Sequence, residues 1–143
     1  MLLVDVNVLV YAHRTDTPNH IAYRHWLEDL INGNQAYAMT DIVLSEFIRV
    51  VTHPRVFNPA SEIGSALTFV REIREQPNCV LIAPGTRHWA IFVDLCQASG
   101  AKGSLVPDAF LAALAIESGS EWITTDRDYS RFPGLRCRHP LAA

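Results

Sequence analysis

Charge interrupts every apolar run of this 143-residue chain well short of the roughly 18 residues that a membrane span needs. The N-terminus has no basic segment, and Asp5 stands where a secretory signal would be apolar, so a cytoplasmic protein is expected. Cysteine is scarce. Cys79, Cys96 and Cys137 are odd in number and lack C-x-x-C spacing, which points to buried thiols rather than a disulfide framework or a zinc site. The phosphate-cradling patterns G-x-x-x-x-G-K-[ST] and G-x-G-x-x-G after a strand are missing, as is a G-x-S-x-G elbow, and the six histidines are dispersed. Nucleotide cradling and a nucleophilic triad therefore have no support. Basic charge is not in excess either: the formal net charge of −3 argues against a general polyanion-coating protein. No repeat, low-complexity segment or internal linker is evident.

The composition, 49% hydrophobic and 19% charged, is that of a globular chain, and its length suits one domain spanning residues 1–143. Residues 2–9 form an apolar, β-branched run that reads as a strand buried on both faces. A helix is expected after Pro18, stopped by Asn32-Gly33-Asn34, followed by a second strand over 36–39 and a helix over about 41–52. Further helices are expected over 59–75, from a cap at Thr86 to about 99, and from Pro107 to near Gly119. Strands are expected over 79–83, 122–124 and about 135–137. Alternation of strands with helices argues for an α/β fold: a mostly parallel sheet of about five strands with helices on both faces.

Four acids occupy places that are awkward for a carboxylate. Asp5 lies within the first apolar run, where an ionised group costs several kcal/mol unless it is paired, hydrogen-bonded or metal-bound. It also suits the end of a strand and the cap of a following helix. Glu46 has Ile42, Val43 and Val50 as its helical neighbours, yet pairing with Arg49 at the surface is open to it as well. Asp108 falls in the first turn of a helix, where the dipole alone favours an acid. Asp126 closes the fourth strand. In an open parallel sheet these four share an address, because functional groups gather at the carboxyl ends of strands near a topological switch. Clustered carboxylates repel unless a cation neutralises them, and oxygen donors without His or Cys suit Mg²⁺ or Mn²⁺ before Zn²⁺. Phosphodiester hydrolysis by a metal-activated water uses such a site most directly.

Leu3-Val4-Asp5-Val6-Asn7-Val8-Leu9, Ser45-Glu46-Phe47, Pro107-Asp108-Ala109 and Thr124-Thr125-Asp126-Arg127-Asp128 together resemble the PIN-domain ribonucleases, in particular the VapC toxins of bacterial type II toxin–antitoxin systems. The motifs occur in family order and span the chain. The passage 47–57 is similar to a VapC subgroup common in actinobacteria. The resemblance implies a three-layer α/β/α fold, a Mg²⁺- or Mn²⁺-dependent endoribonuclease, a homodimer and a cognate antitoxin. It further implies Asp5 and Asp108 as metal ligands, with Glu46 and Asp126 completing the catalytic acidic cluster. Asn7 and Thr125 would orient the ligands, and Asp128 would be peripheral. Tyr129 departs from the Phe often found there, a change expected to matter little to the metal. RNA would be met by local cations, for which Arg14, Arg55, Lys102, Arg127 and Arg131 are candidates. Two alternatives remain: a non-catalytic PIN-like binding protein, and a haloacid-type phosphatase, against which stand Asn7 in place of a second Asp and the lack of a fitting Lys.

Overall fold

The computed structural model describes residues 1–142; Ala143, the last residue of the expected domain, lies outside the described residues. The strands β1 (Leu2–Val4), β2 (Tyr37–Met39), β3 (Cys79–Leu81), β4 (Glu121–Ile123) and β5 (Cys137–Arg138) form a five-stranded sheet in the order β3-β2-β1-β4-β5. All pairings are parallel. The helices are α1 (Val6–His13), α2 (His20–Asn32), α3 (Asp41–Val51), α4 (Ile63–Arg74), α5 (His88–Ser99) and α6 (Leu105–Ser118), and a short 3-10 helix covers Arg127–Arg131. Helix α1 packs on α2 and α3, α3 on α4, and α5 on α6, which gives the three-layer α/β/α arrangement. No helix among the described residues is long and apolar enough to cross a membrane.

The apolar run over 2–9 is not one strand. It ends at Val4, and α1 begins at Val6 with the Asp5 carboxylate accepting from the Val6 N–H. A continuous apolar stretch suits a buried helix as well as a buried strand, and here the capping acid decides where one gives way to the other. Helix α6 starts two residues earlier than Pro107, which therefore lies inside its first turn. Arg87 rather than Thr86 precedes α5. Cys79 and Cys96 are only half-buried and Cys137 is exposed, so the thiols are free but not the buried set expected.

The sheet centre is dry. Leu3, Val4, Tyr37, Ala38, Met39, Trp122 and Ile123 are fully buried between the helical layers. Parallel strands covered on both faces require such continuous apolar runs. The chain moves from β1 outward to β2 and β3, then returns to the other side of β1 at β4. That reversal places the switch point between β1 and β4. Helix α6 runs back toward the start of β4, so its own N-terminus lies at the carboxyl edge of the sheet, beside the residues that leave β1 and β4.

Candidate active site

Three carboxylates reach one cleft from three elements. Asp5 leaves β1 and is 6% exposed; the Val6 N–H donates to its Oδ1 at 2.7 Å and the Thr124 hydroxyl to its Oδ2 at 2.6 Å. It is the cap of α1 and an acid of the cleft at once. Asp108 sits in the first turn of α6, where its Oδ1 accepts from the Tyr129 hydroxyl at 3.2 Å. Asp126 follows β4 and caps the 3-10 helix, its Oδ1 accepting from the Asp128 N–H at 2.9 Å. The Asp126 N–H in turn donates to Thr124 Oγ1 at 3.0 Å. Thr124 thus gives its proton to Asp5 and accepts one from the Asp126 backbone, which ties the two acids together.

These acids line a cleft of about 920 Å³ with Asn7, Ser45 and Glu46, and its remaining wall is apolar, including Val50, Val56, Phe57, Phe92 and Phe110. Burial pushes the Asp5 carboxyl from 3.8 up to about 6; the Thr124 and Val6 hydrogen bonds oppose this, and Asp108 and Asp126 add to it. Burial also raises Asp108, against the Tyr129 hydrogen bond, with Asp126 and Asp128 adding repulsion. A buried carboxyl whose charged form is disfavoured gains from any neutralising charge nearby.

The PIN domain family model matches residues 2–135. The chain belongs to the PIN-domain family. Ribonuclease VapC43 of Mycobacterium tuberculosis is 45% identical to it over 141 residues, covering 99% of this chain and 96% of that protein. Ribonuclease VapC25 of the same organism is 37% identical over 140 residues, 98% of this chain and 99% of that one. This PIN domain therefore falls among the VapC relatives. In three dimensions it is similar to a crystal structure of VapBC2 from Rickettsia felis bound to a DNA fragment from their promoter, with a TM-score of 0.70 over 96% of this chain and 97% of that one, at 18% identity.

The site of this PIN domain fits a hard divalent ion in part. Its donors are all oxygen, Asp108 and Asp126 add to the proton affinity of Asp5, and Asn7 Oδ1 is buried in the cleft wall with no hydrogen-bond partner among the described residues. An orphaned oxygen there suits a hydrated ion, whose waters are donors. Among the described residues, however, no three His, Cys, Asp or Glu side chains stand close enough to enclose an ion as they are. One reason is visible at Glu46. It lines the cleft but turns to Arg49, whose Nε and Nη2 bind its two carboxylate oxygens, and the pairing holds its carboxyl below the usual range.

One expected partner changes identity, and the outlying one stays outlying. Thr125 makes no side-chain hydrogen bond among the described residues, and Thr124 supplies the hydroxyl that orients Asp5 and Asp126. Adjacent residues leaving a strand point to opposite sides, so a one-residue step exchanges a buried hydroxyl for an outlying one. Asp128 is exposed, lies 3.8 Å from Arg131, and contributes its backbone N–H to Asp126 rather than its carboxylate. Tyr129 is buried, and its hydroxyl donates to Asp108 Oδ1. Of the candidate cations, Arg14 is already engaged. It binds both oxygens of Asp16, reaches Ser61 Oγ at 3.2 Å and lies 4.4 Å over the Phe57 ring. Arg55, Lys102 and Arg127 are exposed and form no ion pair among the described residues.

Proposed function

We propose that this chain, as a single PIN domain over 1–143, is a metal-dependent endoribonuclease and the toxin of a type II toxin–antitoxin pair. The observation that carries the reading is that Asp5, Asp108 and Asp126 line one cleft at the switch point, with Asp5 buried in its floor. Asp5, Asp108 and Asp126 would hold Mg²⁺ or Mn²⁺, with Glu46 joining when it leaves Arg49. An ion bound there acidifies an attacking water and offsets the charge that builds on the phosphate. Thr124 keeps Asp5 and Asp126 in register for that task, and the buried, unpartnered Asn7 Oδ1 would accept from a water of the bound ion. Asp128 acts only through its backbone, and Thr125 stands outside this network.

Lys102 and Arg131 share a shallow depression with Asp108 and Asp128, next to the acids, and are well placed to meet an RNA backbone. The apolar wall of the cleft suits an amphipathic helix laid across it, which is how an antitoxin would cover the acids. A homodimer is part of the same reading.

The test is cleavage of total bacterial RNA by the purified protein in Mg²⁺, in Mn²⁺ and in EDTA, beside Asp5→Asn. Discrete cuts that vanish with EDTA and in the variant are expected. Absence of both cleavage and any metal-dependent gain in thermal stability would sink the reading. Glu46 paired with Arg49 favours a second one, a non-catalytic binding protein, and metal binding without cleavage of any RNA would select it.

A further inference from the structure

We propose that Tyr129 is a positioning residue for Asp108, its buried hydroxyl engaging one carboxylate oxygen so that the other is presented to a cation in the cleft. The inference rests on the metal-dependent reading of the site. Its geometry is independent of that reading.

Tyr129 is 2% exposed and sits in the 3-10 helix that Asp126 caps. Its ring is wedged between Trp122, 5.3 Å away between centroids, and Phe132, 5.9 Å away. That packing holds the ring in place and brings its hydroxyl to 3.2 Å from Asp108 Oδ1. A phenol beside a carboxylate takes the donor role, and the Asp108 oxygen accepts. Asp108 has no other hydrogen bond holding its side chain among the described residues.

A continuous path then joins the three acids. Thr124 links Asp5 to the Asp126 backbone, Asp126 caps the turn that carries Tyr129, and Tyr129 reaches across to Asp108 on α6. A Phe ring would fill the same space and leave the path broken at its last step. Asp108 Oδ1 would lose its only donor among the described residues, and the carboxylate would be free to rotate away from the cleft. Groups that orient a metal ligand in this way change affinity for the ion, typically by about 10–100-fold on removal.

The experiment titrates the metal-free protein with Mn²⁺, free ion being read by electron paramagnetic resonance, and records thermal unfolding of each metal-free form. Wild type, Tyr129→Phe and Phe132→Leu are compared. Phe132→Leu loosens the same aromatic cluster without touching the hydroxyl. The expected result is Mn²⁺ binding about tenfold weaker in Tyr129→Phe, with near wild-type affinity in Phe132→Leu despite its lower unfolding temperature. Equal affinity in wild type and Tyr129→Phe overturns the inference and leaves the metal reading intact. Equal weakening in both variants assigns the effect to packing and overturns it as well. A wild type that binds no Mn²⁺ overturns the metal reading itself, and the Tyr129 inference with it.

Discussion

The Asp5 carboxyl titrates near 6 rather than 3.8 because burial outweighs the two hydrogen bonds that favour its charged form. Between those values the folded protein holds a proton that the unfolded chain has already released. Rising pH across about 3.8 to 6 therefore removes stability from the metal-free protein, by about 3 kcal/mol once neutral pH is reached. Asp5→Asn keeps the shape and discards the charge. Its Oδ1 retains the Val6 N–H and its amide can donate to Thr124. In EDTA at pH 7 the variant is expected to be more stable than wild type by about 1–3 kcal/mol, and near pH 4 the difference should vanish. Urea denaturation at the two pH values measures both. A variant less stable than wild type at pH 7 would mean that the hydrogen bonds, not burial, dominate at Asp5. The acids themselves were legible in the motifs because a carboxylate in an apolar setting demands a reason. The hydroxyls that position them were not. Thr124 and Asp5 meet across 119 residues of sequence and Tyr129 and Asp108 across 21, contacts that depend on strand register and ring packing rather than on local pattern.

Helix α3 carries both Glu46 and the group that restrains it. Three residues apart, Glu46 and Arg49 lie on one exposed stripe, and the arginine meets the carboxylate with two nitrogens. The same helix buries Val43, Leu44, Phe47 and Val51 on its other side, so its placement does not depend on the pair. Arg49→Gln should therefore leave the unfolding temperature almost unchanged while freeing Glu46 to turn into the cleft. Mn²⁺ affinity is expected to rise in Arg49→Gln and to return to or below the wild-type value in Arg49→Gln/Glu46→Gln. An affinity that is the same in all three forms would place Glu46 outside the ion's reach. Helices with one apolar stripe, such as α3 and α4, were legible from spacing alone. The stretch 2–9 was not, since Val and Leu without interruption serve a covered strand and a covered helix equally, and only the cap at Asp5 separates β1 from α1.

At the scale of the molecule, the fold gathers negative charge at the point where the sheet reverses direction, inside a chain whose formal net charge is already −3. Alternating strands and helices announced the parallel sheet, but the order β3-β2-β1-β4-β5, which makes Asp5 and Asp126 neighbours, follows from long-range pairing that no local pattern encodes. On the proposed metal-dependent reading, metal and proton are coupled. A cation held by Asp5 would displace its proton, so it would compete with protons below a pH of about 6 and bind without that competition above it. Stabilisation by an ion follows its occupancy, about 2.7 kcal/mol at a hundredfold excess over Kd. The unfolding temperature should thus rise with added Mn²⁺ at pH 7.5, rise less at pH 5.5, and be nearly indifferent to the ion at pH 4. The metal-free protein should show the opposite slope over the lower part of that range, losing stability as pH climbs. Scanning calorimetry across the three pH values, with Mn²⁺ and with EDTA, measures the two slopes together. A metal effect of the same size at all three would detach ion binding from the buried carboxylates and place the cation elsewhere on the protein.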